Sequence, residues 1–428
     1  MSSSHAILKA KCHPSVVGTP QTIDENTPNL YRPLTIRSVT LRNRICVSPM
    51  CLYSTASSGP LQGVVTPLYI TTIGHNVFKG AALAMIEATG VQPNGRISPH
   101  CPGLWNDRQQ HALKSLADFI HSQGGLCGVQ LSHAGRKAST LPPLAAARLG
   151  KSSARANLED GGWPADVVAP SGGLSWDNKG GDDPSGGYHV PREMTKQEIK
   201  ELVSNYATAA ERAVNAGVDV VEIHAAHGYL IHQFLSPLTN RRTDEYGGGF
   251  ENRVRLLLEV TRAVRAVIPA GMPVFVRISV TDWMEDTNIG KELGSWNVES
   301  TVRLAKMLPD LGVDLLDVSS GGNHHQARFN VFDGGDKHTA IARRIKQSLI
   351  AGDQNLLVGT VGMITEPGQA RDLVQSDQQG EPGVDIISLG RQFLHEPNWV
   401  LKAAAELGVD VVWPAQIERI RPTSASRI

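Results

Sequence analysis

His224, His227 and Tyr229 place two imidazoles and a phenol within one short run, His224-Ala225-Ala226-His227-Gly228-Tyr229. Residues three apart in a continuing strand face opposite sides, but where a strand turns into a helix they converge on one point. Together they would surround a single oxygen of a small molecule. Metal ligation by the two histidines would need a third ligand and an acid nearby, and neither HExxH nor a facial triad occurs, so no metal is expected. The plainer alternative is a pair of structural histidines capping the next turn. A second run, Arg44 to Tyr53, breaks a β-branched segment at Pro49 and then exposes Ser48, Met50, Cys51 and Tyr53. A hydroxyl, a thioether, a thiol and a phenol are poor tools for hydrolysis. They suit contact with a flat, redox-active ring.

Further along, Gly359-Thr360-Val361-Gly362-Met363 and Gly390-Arg391 each follow an apolar run. Glycines let a phosphate approach main-chain N–H groups, and Arg391 adds a charge-assisted donor; two tight turns are the alternative. Arg277, after Val274-Phe275-Val276, is a permanent cation that needs an anionic partner if buried. Glu222 or Glu87 could supply it, or the charge could serve a ligand ring. Gln130 offers donor and acceptor together, matching an imide edge such as the pyrimidine half of a flavin. His324-His325 reads as loop surface.

These residues need a frame that brings strand ends together. Eight apolar runs recur at 45–48, 83–88, 126–131, 218–224, 274–279, 315–319, 356–360 and 386–389, with amphipathic stretches at 109–122, 196–216, 250–267, 298–311 and 339–349. The runs are continuous, as in parallel strands buried on both faces. Eightfold β-then-α alternation predicts an α/β (β/α)8 TIM barrel, with function at the carboxyl ends of the strands. A doubly wound sheet is the alternative, weakened by the absence of GxGxxG. No lysine falls at a strand end, which disfavours a Schiff-base aldolase. The segment 138–193, rich in Gly, Pro, Ser and Asp, reads as a long structureless capping insertion after strand three.

A chain of 428 residues fits one such barrel, expected over 30–428, with 1–29 as a polar, poorly ordered arm. Lys+Arg and Asp+Glu are both 41, so no global charge field points to nucleic acid or an anionic membrane. The five cysteines are scattered and lack CxxC spacing, which argues for reduced thiols and against zinc or iron–sulfur ligation. With no apolar span and no targeting signature, a cytoplasmic location is expected.

Taken together, Ser48-Pro49-Met50-Cys51 with Tyr53, Gln130-Leu131-Ser132-His133-Ala134-Gly135-Arg136-Lys137, the His224 to Tyr229 run, Asn240-Arg241-Arg242-Thr243-Asp244-Glu245-Tyr246-Gly247-Gly248, Val361-Gly362-Met363-Ile364 and Leu389-Gly390-Arg391 resemble the old yellow enzyme family of FMN-dependent ene-reductases, in particular its thermophilic-like class III branch. The resemblance implies FMN at the barrel mouth, contacted by Ser48, Pro49, Met50, Cys51, Ala88, Gln130 and Arg277, with Gly362, Met363, Gly390 and Arg391 on the phosphate side. It implies that NADPH or NADH reduces the flavin. In a ping-pong cycle, flavin N5 then passes hydride to the activated C=C bond of an α,β-unsaturated carbonyl or nitro compound. His224 and His227 would bind the substrate oxygen, Tyr229 would donate the proton, and Tyr53 would be a substrate-side phenol. Cys51 would tune the flavin potential. A same-fold FMN enzyme doing a redox-neutral isomerisation or a specialised biosynthetic step, a metal-dependent barrel hydrolase, and a flavin-binding protein without catalysis are the competing readings. Ile417-Glu418-Arg419 resembles a segment through which Arg419 reaches a neighbouring subunit's site in a dimer or tetramer, although Ile417 stands where the family has an aromatic.

Overall fold

Six of the eight predicted strands are buried at every position, and this double-sided burial forces parallel neighbours covered by helices. The computed structural model describes residues 16–173, 187–327, 335–377 and 380–421. We number the barrel strands β1 (Ile45–Val47), β2 (Leu83–Gly90), β3 (Leu126–Ser132), β4 (Val220–Ala225), β5 (Val274–Ser279), β6 (Leu315–Ser319), β7 (Leu357–Val361) and β8 (Ile386–Leu389). Each is hydrogen-bonded in parallel to its chain neighbour, and β8 closes on β1. The result is the (β/α)8 barrel expected from the apolar runs.

Amphipathic helices cover the outside. Helix α1 (Asp107–Ser122) starts in a capping box between Asn106 and Gln109, and α2 (Lys196–Asn215) in one between Thr195 and Glu198. Ile199, Leu202, Tyr206, Ala209, Ala210 and Ala213 put the buried face of α2 on the sheet at helical spacing. Helix α3 (Phe250–Val267) lies beside it, burying Val254, Leu257, Thr261 and Val264.

The barrel interior is layered. Cys46, Leu83, Met85, Val220, Phe275, Leu315 and Ile386 form an apolar floor. Two residues further along their strands, Ser48, Glu222, Arg277 and Asp317 form a buried polar layer, which Gln130 joins. A register shift between Ile86 and Thr89 bulges β2 where it carries Glu87 and Ala88.

Three expectations are corrected. The helix expected over 298–311 stops at Ala305 and resumes as a 3-10 turn, Pro309–Leu311, because proline lacks the N–H the helix needs. The 138–193 insertion is not structureless in its described part: it carries the helix Pro143–Arg148 and a parallel pair, Val168–Ala169 with Arg192–Glu193. The arm expected over 1–29 is tied down over 17–20, where the Gly18 N–H donates to the Val412 carbonyl at 2.9 Å and Pro20 bridges Val411, while residues 21–26 are exposed. Residues 1–15 lie outside the described residues. Among the described residues, no helix is long and apolar enough to cross a membrane.

The layering sets a stability contrast. Leu257→Ala, at a fully buried position of α3, should cost about 2–5 kcal/mol by denaturant midpoint. Leu158→Ala, 77% exposed in the insertion, should change it by less than about 0.5 kcal/mol.

Candidate active site

His224 is the second-last residue of β4, and His227 and Tyr229 follow in the turn before the helix Leu230–Leu235. The convergence expected from their spacing is present. The His224 ring lies 5.1 Å from His227 and 5.0 Å from Tyr229, both edge-on, and His227 and Tyr229 are 6.5 Å apart. This requires a left-handed backbone at His227 (φ 60°) and Gly228 (φ 70°). A Cβ on Gly228 would stand 2.0 Å from the Gly322 carbonyl oxygen, so the two loops meet too closely for any other residue.

The turn is clamped from several sides. The His227 N–H donates to Ser279 Oγ at 2.9 Å, and its Nε2 sits 2.7 Å from Ser319 Oγ. Lys137 Nζ donates to the His227 carbonyl at 2.8 Å and also to that of Gly322. The Gly228 N–H donates to His232 Nδ1 at 2.9 Å, which leaves the ring proton on Nε2, 3.1 Å from the buried Asp282 carboxylate.

Burial sets the protonation states. It pushes the His224 and His227 imidazoles well below their ordinary value, with the neighbouring cations, Arg277 and Lys137 among them, acting in the same direction. Both rings are neutral donors. Burial likewise pushes the Tyr229 phenol well up, so its proton stays in place, and lowers the Lys137 amine to about 7. His224 Nδ1 is buried without a hydrogen-bond partner among the described residues.

One wall of the mouth is the run after β1. Leu52 N–H and the Tyr69 hydroxyl donate to Glu87 at 2.9 and 2.6 Å, tying the run to β2. The Cys51 thiol is pushed up by its hydrogen bond to Cys101, by burial and by Glu87, so it stays a thiol. Tyr53, its backbone at φ 50°, packs with Cys51, Ala88 and Tyr229 in one small cluster. Arg277 lies at the polar layer, 3% exposed, and its partner is neither Glu222 nor Glu87: Nε donates to Asp317 at 2.7 Å and Nη2 to Ser48 Oγ at 3.0 Å. Register explains the correction, since Arg277 and Asp317 face each other across the β5–β6 ladder. Glu222 instead accepts from Gln130 Nε2 at 2.7 Å, which leaves the Gln130 amide oxygen uncommitted among the described residues.

The other wall is a cleft of about 360 Å³ between the ends of β7 and β8, lined by Met50, Gly362, Met363, Gly390 and Arg391 among others. Gly362 (φ 118°) has no room for a Cβ, which would meet His338 Nδ1 at 2.8 Å. Gly390 takes φ −102°, ψ −103°, and a Cβ there would fill the cleft toward Met50. A smaller cavity of about 100 Å³ brings Tyr53, Lys137 and Tyr229 together with Thr140, Leu141, Ser153 and Tyr188 of the insertion.

Sequence reasoning missed Lys137, Tyr188, Ser319, His232 and Asp282 as parts of this site. Arg136-Lys137 was visible in a quoted motif, yet nothing local shows that these cations end on the carbonyls of loops 185 and more residues away. His324 is buried rather than loop surface, stacked on His325 at 4.5 Å. Arg419 is exposed on the 3-10 turn Glu418–Ile420. Among the described residues no group of three metal-ligating side chains comes together.

The family model described as "NADH:flavin oxidoreductase / NADH oxidase family" matches residues 29–409. The chain belongs to this family. It is 44% identical over 391 residues to NADH:flavin oxidoreductase FG08077 of Gibberella zeae, covering 91% of this chain and 88% of that one. It is 36% identical to the NADPH dehydrogenase of Bacillus subtilis, covering 91% and 98%. Morphinone reductase in complex with tetrahydroNAD superposes with a TM-score of 0.64 at 28% identity, covering 91% and 93%. These matches support the old yellow enzyme resemblance and make the chain an NAD(P)H-dependent flavin oxidoreductase with FMN as its cofactor. The mouth fits that cofactor: a glycine-opened cleft with a cation at its rim suits a phosphate, and a thioether, a guanidinium and a free amide oxygen suit a flat heterocycle.

Two measurements follow from the clamped, neutral turn. The ring resonances of His224 and His227 should stay those of neutral imidazole from about pH 5 to about pH 8 in NMR titrations. Gly228→Ala should lower the thermal midpoint and abolish turnover, while Gly368→Ala, where the backbone is not left-handed and no atom of the described residues lies within 4 Å of a Cβ, should leave turnover intact.

Proposed function

We propose that this family member reduces the C=C bond of an alkene conjugated to a carbonyl or nitro group. The observation that carries the reading is the convergence of His224, His227 and Tyr229 between the Met50 wall and the Tyr53–Tyr188 cavity. FMN, when bound, supplies the hydride carrier between NAD(P)H and this second substrate. Ser48, Pro49, Met50, Cys51, Ala88, Gln130 and Arg277 would hold its ring, and Gly362, Met363, Gly390 and Arg391 its phosphate.

The chain's own residues do the rest. The imidazole N–H groups of His224 and His227 grip the carbonyl or nitro oxygen, where negative charge grows as the β-carbon is reduced. Donors aimed at developing charge away from water are worth on the order of 3 kcal/mol each. Because both rings are neutral, they strengthen with that growing charge without holding an anion beforehand. Tyr229, its proton retained by burial, donates to the α-carbon. Tyr53 and Tyr188 shape the apolar side of the pocket and exclude water.

Separate half-reactions test the assignment. In rapid-mixing experiments, His224→Ala should slow reduction of 2-cyclohexenone by about 10²–10³-fold while slowing reduction of the flavin by NADPH far less. Equal losses in both would sink the roles given to the histidines. Cys51→Ala should retain FMN and shift its potential; an unchanged potential would make Cys51 a packing residue only.

A further inference from the structure

Below the mouth, polar side chains from four strands and from Ser48, just past β1, form one buried layer. Gln130 of β3 donates to Glu222 of β4 at 2.7 Å, and Glu222 and Asp317 of β6 line one small cavity together. Asp317 accepts from Arg277 Nε of β5 at 2.7 Å, and Arg277 Nη2 reaches Ser48 beyond β1 at 3.0 Å. All are buried. This cavity of about 10 Å³, lined by Glu222, Asp317, Phe275 and Met85, separates the layer from the apolar floor and has room for about one water. The groups facing Glu222 are Arg277 from β5, Asp317 from β6, the Cys46 thiol from β1 and neutral Gln130 from β3, with His224 next on its own face of β4.

This layer holds two carboxyls and one guanidinium. Two ionised carboxylates in contact, away from water, repel each other strongly, and the usual resolution is a shared proton. Asp317 Oδ1 is buried and has no donor among the described residues. Gln130 fixes one Glu222 oxygen as an acceptor, so the other is the place for a proton. We infer that Glu222 is protonated, donates to Asp317, and is thereby a positioning residue that sets how much of the Arg277 charge is felt at the barrel mouth. Burial, followed by the Asp317 charge, pushes the Glu222 carboxyl up to about 8 against the opposing pull of Arg277. Below that pH the layer is neutral, with Arg277 balanced once. Above it, a second negative charge offsets Arg277.

Two readouts on the holoenzyme test this, comparing wild type with Glu222→Gln, whose amide can still donate to Asp317 and accept from Gln130. The first concerns stability. The folded chain keeps on Glu222 a proton that the unfolded chain releases near its ordinary value of 4.5. Stability therefore falls as pH rises between that value and about 8, then levels. The thermal midpoint of wild type relative to the Gln variant should decline across that window and stay constant above it. A difference that is flat from about pH 5 to about pH 8 would overturn the assignment.

The second readout rests on the proposed placement of Arg277 against the flavin. The two midpoint potentials should coincide near pH 6 and diverge above about pH 8, wild type becoming the more negative. A pH-dependent stability difference with identical potentials at every pH would leave the proton on Glu222 and overturn its action through Arg277. Should the Gln variant not fold, infrared spectra decide in a Glu87→Gln background, since Glu87 is the other buried carboxyl pushed up among the described residues, to about 7. A protonated-carboxyl band that disappears through about pH 8 supports the inference, and its absence near pH 6 overturns it.

Discussion

Arg277 cannot shed its proton, yet it stands inside a closed barrel at 3% exposure, and the rest of the site is arranged around that fact. Its register places His224 on one side and Asp317 on the other, one a neutral ring and the other an anion. Removing one member of such a buried pair costs about 3–5 kcal/mol, so the pair fixes the side-chain geometry at the centre of the mouth. It also helps to keep His224 and His227 neutral. Ser48, at the start of the Met50 wall, takes the second donor of the same guanidinium. One cation thus joins the acid layer, the histidines and the wall.

The turn from His227 to Tyr229 depends on a different arrangement of charge. Lys137 and Arg136 are buried and end on main-chain carbonyls of His227, Gly322 and Asn323. A backbone in the left-handed region at a non-glycine residue costs of order 1–3 kcal/mol and persists only where its surroundings over-determine it. His227 is held by Lys137, Ser279 and Ser319, and its successor by His232 backed by Asp282. Glu87 does the same for the opposite wall through Leu52 and Tyr69.

Much of this was legible locally. Continuous apolar runs located all eight strands, because a strand buried on both faces has no polar alternation to disguise it. The spacing of His224, His227 and Tyr229 announced convergence at a strand end. What could not be read is what closure decides. Asp317 lies 40 residues from Arg277, and Glu222 lies 92 from Gln130; only the ladder register makes them neighbours. Glu222 and Glu87 looked equally suitable as partners for Arg277 because strand ends alone do not say which inward positions share a layer. The β2 bulge that carries Glu87 and the break of the 298–311 helix at Pro309 were likewise invisible or overlooked, the first for want of a local signal, the second despite one.

Permanent charge and neutral donors occupy different depths for a physical reason. Arg391 sits at the exposed rim, where solvent screens it and a dianionic phosphate can meet it without a large desolvation cost. Arg277 is deep but balanced by Asp317. Between them, His224, His227 and Tyr229 carry no charge, so under the proposed reaction a neutral substrate would meet neutral donors without displacing a counterion from them. Stabilisation is then largest when charge develops, which is the condition under which binding groups accelerate a reaction instead of only retaining its substrate. A protonated histidine at either position would reverse that order by attracting anions in the resting site, and the burial of both rings beside Arg277 prevents it.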